Sequence, residues 1–411
     1  GCILIALENS AFLKSYKDYS KPEDLAKFLA DTAELQFKNS GIQEQKLKVV
    51  KSSFEFIKTD KSLSTVPGVL REIIIDINDN VNSFIRTHKY FDVLGQLYIE
   101  FLRYANSDKG LGIVLTPPHI TEFMAELAEV NKNSVVYDNC AGTGGFLISA
   151  MKLMIKDAKD DQEKINNIKQ HQIVGTEYQS KIFTLACSNM FIHQDGKTSI
   201  LNGDCFDPEI VKKVKTYNPT VGLLNPPYKA DKKKDTEELE FVLNNLECLE
   251  QGGKLAAIVP MQSALAQSGK IFELKKKLLE QHTLEAVLSM PNELFFNSNV
   301  NVVSCIMVFT AKRPHPKNKK TFFGYFKDDG FVKRKIEGRT DLYGKWESIK
   351  ENWIRAYMNK ENIAGLSVNE IVGAKDEWCA EAYMETDYSN LTEDVFVKEI
   401  KKYVAFKLQN L

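Results

Sequence analysis

Apolar side chains recur at helical spacing through the first hundred residues of the chain. One predicted helix carries this pattern at Leu25, Phe28, Leu29, Ala33 and Phe37. A second helical pattern runs through the apolar positions between 69 and 77. No strand pattern of comparable strength accompanies them. The pattern therefore predicts an α-helical N-terminal domain over residues 1–105.

From residue 106 to about 312, short apolar runs alternate with helical patterns. The runs that predict strands are 134–138, 173–177, 199–205, 221–224, 254–260, 284–289 and 300–310. Helical patterns follow Gly144 and cover 237–249 and 272–280. This alternation is typical of an α/β fold with a doubly wound sheet, which binds ligands at the carboxyl ends of its strands.

Beyond residue 312 the alternation is less regular. Residues 322–326 predict one more strand, and residues 392–411 predict an amphipathic terminal helix. We therefore expect a mixed, partly helical C-terminal extension over residues 313–411.

The segment Asn225-Pro226-Pro227-Tyr228 directly follows a predicted buried strand. Prolines restrict the backbone and lack N–H donors, so carbonyl groups there can face a ligand. The Asn225 amide and the Pro226 carbonyl can accept hydrogen bonds from a planar amino group, and Tyr228 offers a ring for stacking. The segment indicates a site that binds an exocyclic amino group, although a proline turn after a strand explains it equally well in isolation.

A glycine-rich turn follows the first predicted strand, which ends at Asp138. The turn runs through Gly142, Gly144 and Gly145 into a helix, a layout that lets a ligand approach the backbone closely. The next two strands end near Glu177 and Asp204, and an acid at the first of these positions suits ribose hydroxyls. Each feature alone also fits a helix cap or a surface charge, but their order at βα spacing favours a nucleoside site.

Composition narrows the class of protein. The chain has 411 residues, 43% of them hydrophobic and 27% charged, and no run long enough to cross a membrane or to serve as a secretory signal. Its seven cysteines lack metal-site spacing, so we expect a reducing, cytoplasmic location and no metal. The chain begins with Gly1 and an apolar run, so we expect a natural protein that begins earlier.

These motifs together resemble the gamma-class DNA adenine-N6 methyltransferases, and most closely the modification subunits of type I restriction-modification systems. The resemblance spans about residues 85–312. It includes residues 93–102, similar to a helix ahead of the fold in those subunits, and residues 112–118, similar to their cofactor motif. The position of Thr116-Pro117 ahead of the first strand marks the gamma order.

The resemblance implies a Rossmann-like methyltransferase sheet, over residues 106–312, that uses S-adenosylmethionine. Glu177 is expected to hold the ribose and Asp204 the adenine of this cofactor. The full set of expected cofactor-binding residues is Thr116, Pro117, Asp138, Ala141, Gly142, Thr143, Gly144, Gly145, Phe146, Glu177, Asp204 and Cys205. The expected catalytic residues are Asn225, Pro226, Pro227 and Tyr228.

The implied substrate is an adenine flipped out of double-stranded DNA, because a paired base cannot reach such a pocket. Tyr228 is expected to stack on one face of the base and Phe295 or Phe296 on the other. A net charge of −1 is low for a DNA-binding protein, so charge must be concentrated locally or come from a partner. The lysines expected to contact the DNA backbone are Lys229, Lys232, Lys233 and Lys234.

The resemblance also implies a separate specificity subunit, contacted by the C-terminal region, and possible association with a restriction subunit. Three alternatives stay open from the sequence. The chain can be the methyltransferase core of a fused restriction-and-modification polypeptide. It can act on RNA or on a protein glutamine, since both present a planar amino group. It can also be a scaffold that binds the cofactor without catalysis.

Overall fold

The structure is a computed structural model that describes most of the chain. The described residues are 1–87, 90–97, 114–193, 199–228, 236–298, 300–335, 338–388 and 391–409.

Helices form the N-terminal region, as the apolar spacing predicts. They are α1 (Cys2–Leu7), α2 (Ser10–Ser15), α3 (Pro22–Asn39), α4 (Glu44–Phe54), α5 (Phe56–Thr59), α6 (Lys61–Ser64), α7 (Val69–Asp76) and α8 (Ser83–Thr87). The predicted apolar face of α3 is the buried one: Leu25, Leu29 and Phe37 are fully covered. Five of the six residues of α1 are buried as well, because this helix packs against α3.

Eleven strands lie in the described part of the chain. They are β1 (Val136–Asp138), β2 (Ile173–Glu177), β3 (Ser199–Asn202), β4 (Val221–Leu224), β5 (Lys254–Pro260), β6 (Thr283–Ser289), β7 (Ser304–Thr310), β8 (Lys320–Tyr325), β9 (Val332–Arg334), β10 (Gly338–Thr340) and β11 (Ser367–Ile371). Nine of them form one sheet in the order β11-β8-β6-β7-β5-β4-β1-β2-β3, and β9 pairs with β10 separately.

The order of the strands places the site. From β1 the chain moves outward through β2 and β3, then returns so that β4 pairs with β1 on its other side. These four strands and β5 all run parallel to one another. The reversal between β1 and β4 is a topological switch point, where sheets of this kind leave a crevice at the carboxyl ends of the strands. The strand β7, antiparallel to β5 and β6, extends the sheet on the far side.

Helices cover both sides of this sheet. They are α9 (Pro118–Leu127), α10 (Gly145–Ala158), α11 (Gln162–His171), α12 (Ser180–Ile192), α13 (Pro208–Lys215), α14 (Glu238–Cys248), α15 (Gln262–Leu265), α16 (Gly269–Gln281) and α17 (Trp346–Met358). Strands β4 and β7 are buried at every position, which explains their continuous apolar runs.

The predicted doubly wound α/β sheet is confirmed, with differences in detail. The run 300–310 is a strand only from Ser304 onward, and the helix expected from residue 272 begins at Gly269. Strands β8 and β11 follow residue 312 and yet belong to the main sheet. The division into domains at residues 105 and 312 stays a prediction, but the sheet does not end at the second of these positions.

The chain ends in the predicted terminal helix, α18 (Glu393–Gln409). Several of its large apolar side chains are exposed, among them Phe396 at 56%, Ile400 at 59% and Leu408 at 68% exposure. These three apolar side chains thus lie at the surface of the described part of the chain.

Within the described ranges, no helix combines the length and the apolar character that crossing a membrane requires.

A buried lysine connects α16 to the C-terminal segment. The Lys275 ammonium donates hydrogen bonds to the carbonyl oxygens of Ala264 (2.8 Å), Ala266 (3.1 Å) and Asp376 (2.8 Å). It also lies 4.5 Å from the centre of the Trp378 ring, in a cation–π arrangement. Carbonyl groups from two segments of the chain thus accept hydrogen bonds from the same ammonium group.

We expect Lys275→Met to lower the free energy of unfolding by about 2 kcal/mol or more. Removing the ammonium leaves the carbonyl oxygens of Ala266 and Asp376 without this donor, and this loss outweighs the relief of a buried charge. Denaturant unfolding followed by circular dichroism measures the difference. The neighbouring Lys276 is exposed, so Lys276→Met is the matched control and should stay within about 0.5 kcal/mol of the parent. Equal stability of both variants would contradict a structural role for Lys275.

Candidate active site

A cavity of about 370 Å³ opens at the carboxyl ends of the parallel strands, beside the switch point between β1 and β4. Many predicted site residues come together in its lining: Thr116, Ala141, Gly142, Thr143, Gly145, Phe146, Glu177, Asp204, Cys205, Asn225, Pro226 and Pro227. Pro117, Asp138, Gly144, Tyr228, Phe295 and Phe296 are not among the lining residues. A larger, more open groove of about 1000 Å³ contains none of the predicted site residues.

The glycine-rich turn between β1 and α10 forms one wall of the cavity. Gly142 and Gly144 have φ angles of +54° and +90°, which side chains rarely tolerate. Gly145 has no such requirement, but a Cβ atom there would lie 3.0 Å from a carboxylate oxygen of Asp92. The glycines therefore serve two purposes: two of them allow the turn, and the third leaves room for an acid.

Asp138, at the end of β1, stabilises this turn through a backbone hydrogen bond. Its Oδ1 accepts a hydrogen bond from the Cys140 N–H at 2.9 Å. Its Oδ2 is buried and has no hydrogen-bond partner among the described residues. Burial raises the pKa of Asp138 to about 8. Asp138 thus carries a proton over much of the neutral range and contributes to the shape of the turn rather than to the cavity surface.

Glu177, at the end of β2, also stabilises the turn. Its two carboxylate oxygens accept hydrogen bonds from the N–H groups of Gly142 (3.0 Å) and Gln179 (2.8 Å). Burial raises the pKa of this carboxyl group above its usual value. Asp204, beyond β3, is exposed and accepts a hydrogen bond from the Phe206 N–H at 2.9 Å. Both acids line the cavity, on the side where the resemblance implies a nucleoside.

The Asn225 amide is held in one orientation. Its Nδ2 donates to the Val114 carbonyl at 3.1 Å and to the Thr116 hydroxyl at 3.0 Å. Since a backbone carbonyl can only accept, the NH₂ group must be the part that faces Val114. The Oδ1 atom is buried and has no partner among the described residues. The amide therefore keeps one acceptor without a described partner, on a residue that lines the cavity.

The aromatic residues expected to stack on a base differ in burial. Tyr228 is half-buried, and its ring meets the Phe295 ring edge-on, with centroids 5.7 Å apart. Phe295 is 1% exposed and belongs to the core, whereas Phe296 is half-buried and has the Lys333 ammonium 3.9 Å from its ring centre. Of the two phenylalanines, only Phe296 is accessible in this conformation.

The Tyr228 hydroxyl is also buried, with no partner among the described residues, and burial raises its pKa well above the usual range. The four predicted DNA-contacting lysines, Lys229, Lys232, Lys233 and Lys234, lie outside the described residues.

One acid at the cavity escaped the sequence predictions. Asp92 lines the cavity and accepts hydrogen bonds from the Thr143 hydroxyl (2.7 Å), the Asn189 amide (2.6 Å) and the Gly95 N–H (2.8 Å). In the sequence it looks like an ordinary helix cap, since it precedes a helical stretch by one residue. The available signal was Asn189, a polar residue on the apolar face of α12.

An amide network joins the turn to α14 and was also missed. The Asn139 side chain donates to the Phe241 carbonyl and to Asn244, and accepts from Asn245. Asn244 in turn donates to the Cys205 carbonyl at 2.8 Å. The pair of asparagines within the apolar pattern of α14 was the available signal. The network fastens the turns after β1 and β3 to the same helix.

The charge of the cavity lining has one sign. Asp92, Glu177 and Asp204 contribute carboxyl groups, and no Lys or Arg occurs among the described residues of the lining. Across the described segments, no group of three or more His, Cys, Asp and Glu side chains is arranged to hold a metal ion. The lining favours a ligand with positive charge and with hydroxyl or amino donors.

The chain is similar to several curated relatives. It is 35% identical to "Type II restriction enzyme and methyltransferase RM.BcgI" of Heyndrickxia coagulans, over 99% of this chain and 65% of that protein. It is 28% identical to "Type I restriction enzyme MpnII methylase subunit" of Mycoplasma pneumoniae, over 80% of this chain and 64% of that protein. The chain thus spans just under two thirds of the length of both relatives.

A solved structure agrees with the fold. The type I restriction-modification methyltransferase subunit from Streptococcus thermophilus superposes with a TM-score of 0.60 at 19% identity, covering 85% of this chain and 75% of that one. A model of the N-6 DNA methylases matches residues 89–409, which is most of the chain. On this match, and on the relative at 35% identity, the chain belongs to the N-6 DNA methylase family.

Proposed function

We propose that the protein transfers a methyl group from S-adenosylmethionine to the N6 amino group of an adenine in DNA. The observation that carries this proposal is the Asn225 amide, which lines the cavity, is fixed through its NH₂ group and leaves its Oδ1 without a partner among the described residues. An acceptor in this position suits an amino group as its partner. Family membership narrows the amino group to that of a DNA base.

The cavity suits the proposed cofactor, which carries a methyl group on a positively charged sulfur. Three carboxyl groups and no described basic residue in the lining favour this charge. Glu177 is proposed to bind the ribose hydroxyls and Asp204 the adenine amino group. The glycine-rich turn and Thr116 are proposed to hold the methionine portion. A volume of about 370 Å³ is in the range of pockets that enclose ligands of this size.

Asn225 is proposed to activate the adenine amino group. The nitrogen is a weak nucleophile because its lone pair is delocalised into the ring. Hydrogen bonds from its two N–H groups to Asn225 Oδ1 and to the Pro226 carbonyl favour a pyramidal nitrogen, whose lone pair is available for in-line attack. The bond between the methyl group and sulfur breaks as the new bond to nitrogen forms, and the amino group then loses its extra proton to solvent. An amide does not titrate, so Asn225 positions and polarises the nucleophile without taking that proton.

The target base is proposed to leave the duplex and to stack on Tyr228. For the second face, Phe296 is favoured over Phe295, since only Phe296 is accessible. Its ring also has Lys333 close by, and Lys333 forms an ion pair with Glu293 at 3.2 Å. A phosphate group entering this region would compete with Glu293 for that lysine.

Target recognition is proposed to come from a partner or from another part of a longer polypeptide. The exposed apolar side chains of α18 are proposed as the contact for a specificity subunit, which the type I relative's description as a methylase subunit supports. The relative at 35% identity is described as both a restriction enzyme and a methyltransferase. That observation favours a second candidate, in which this chain forms the methyltransferase part of a restriction-and-modification polypeptide.

A methylome of the source cells, with and without the gene, tests the proposal. Single-molecule sequencing should show the loss of N6-methyladenine at one recognition motif when the gene is deleted. If deletion of an expressed gene leaves the methylome unchanged, the result would contradict DNA methylation. RNA and protein glutamine would then be the substrates to test.

Asn225→Ala should lower the methyl-transfer rate by roughly a thousandfold or more, because the amino group loses an acceptor that is fixed in place. Cofactor affinity should stay within a few-fold, since the variant removes no group proposed to bind the cofactor. Radiolabelled methyl transfer and calorimetric titration measure the two quantities. Asn133 is exposed in a turn, so Asn133→Ala is the matched control. Lost cofactor binding in Asn225→Ala would contradict the role assigned to Asn225.

Thr116→Val should lower kcat by roughly tenfold to a hundredfold, since the Asn225 amide then loses one of its two acceptors and can rotate. Thr116→Ser keeps the hydroxyl and should recover most of the activity. Single-turnover rates at saturating cofactor separate this effect from weaker cofactor binding. A loss of activity in the Ser variant with full activity in the Val variant would show that the methyl group of Thr116, and not its hydroxyl, is what matters.

A further inference from the structure

Asp92 lies outside the catalytic sheet and yet reaches its cavity. It precedes the helical residues 93–97, and its carboxylate contacts the glycine-rich turn at Thr143 and the helix α12 at Asn189. A Cβ atom on Gly145 would lie 3.0 Å from its Oδ2. The carboxylate therefore lies next to Gly145, the first residue of α10.

Two acids contact consecutive residues of the turn. Glu177 accepts a hydrogen bond from the Gly142 N–H, and Asp92 accepts one from the hydroxyl of Thr143, the next residue. Both carboxyl groups line the same cavity. An elongated ligand with its ribose at Glu177 would pass over the turn and bring its far end to Asp92.

The charge of Asp92 has no cationic partner among the described residues. The three donors to its carboxylate are a hydroxyl, an amide and a backbone N–H, all of them neutral. Burial raises the pKa of this carboxyl group above its usual value, because it disfavours the charged form. A cation bound beside the carboxylate would offset this effect. A simple helix cap would not need to face a cavity.

We propose that Asp92 binds the α-ammonium group of the methionine portion of S-adenosylmethionine. The inference rests on the proposed function, because it takes the cofactor from there. A residue of the helical region ahead of the sheet then completes the cofactor site. The same carboxylate, through Asn189 and Thr143, couples the position of that helical region to the shape of the turn.

Three ligands distinguish this role from a structural one. S-adenosylmethionine and S-adenosylhomocysteine both carry the α-ammonium group, whereas 5′-methylthioadenosine lacks the whole amino-acid portion. In Asp92→Asn, which keeps the shape of the side chain, we expect the Kd values of the first two to rise by roughly tenfold to a hundredfold. The Kd of 5′-methylthioadenosine should stay within about twofold. Calorimetric titration of the purified protein measures all three.

Two control variants bracket the result. Glu177→Gln acts at the proposed ribose end and should weaken all three ligands, 5′-methylthioadenosine included. Asn189→Ala removes a hydrogen bond to Asp92 but leaves the charge of Asp92 in place. It should raise the Kd values of all three ligands by similar factors, which are smaller than those expected for Asp92→Asn with S-adenosylmethionine. If Asp92→Asn gives this uniform pattern too, or changes no Kd, the proposal is overturned.

A second measurement does not depend on one variant folding well. A des-amino analogue of S-adenosylhomocysteine should bind the parent protein roughly tenfold to a hundredfold more weakly than S-adenosylhomocysteine, and should bind the parent and Asp92→Asn equally. Asp92→Ser, whose hydroxyl can still accept the Gly95 N–H, replaces Asp92→Asn if the latter unfolds. A parent protein that binds none of these nucleosides would refute the proposed function itself, whereas normal binding without the difference would refute only the role of Asp92.

Discussion

The hydrogen bonds that hold the Asn225 amide are the constraint on which the rest of the site depends. They join the end of β4 to a segment more than a hundred residues earlier, through the Val114 carbonyl and the Thr116 hydroxyl. A freely rotating amide would present donor and acceptor alternately to the cavity. Because both acceptors face the NH₂ group, only the carbonyl oxygen remains for a ligand. The Thr-Pro segment ahead of the sheet thus helps to define the chemistry at the end of β4.

The glycine-rich turn depends on its surroundings in the same way. Positive φ angles at Gly142 and Gly144 permit its shape. Hydrogen bonds to Glu177 and Asp92 then hold it in place. The amide network around Asn139 then fastens the turn to α14. Parallel strands bring these elements together, since β1, β2 and β4 end at the same edge of the sheet. The result is a cavity whose described lining carries carboxyl groups without basic residues.

Much of the fold was predictable because its strands are short apolar runs between turn signals. The expected range of β5 coincides with the strand, and β2 and β4 were likewise located from their apolar residues. Errors arose where the pattern continues past the hydrogen-bonded ladder, as ahead of Ser304. The extension of the sheet by β8 and β11 was not predicted, because pairing between distant segments leaves no local periodicity.

The sequence by itself determined the order of strands and helices, the motifs at the strand ends and the family resemblance. These depend on local spacing and residue type, which are written directly in the chain. Only the tertiary structure decided that Asp92 reaches the cavity, that Phe295 is buried while Phe296 is accessible, and which way the Asn225 amide points. Each of these depends on contacts between residues far apart in the chain, and no local pattern records such contacts.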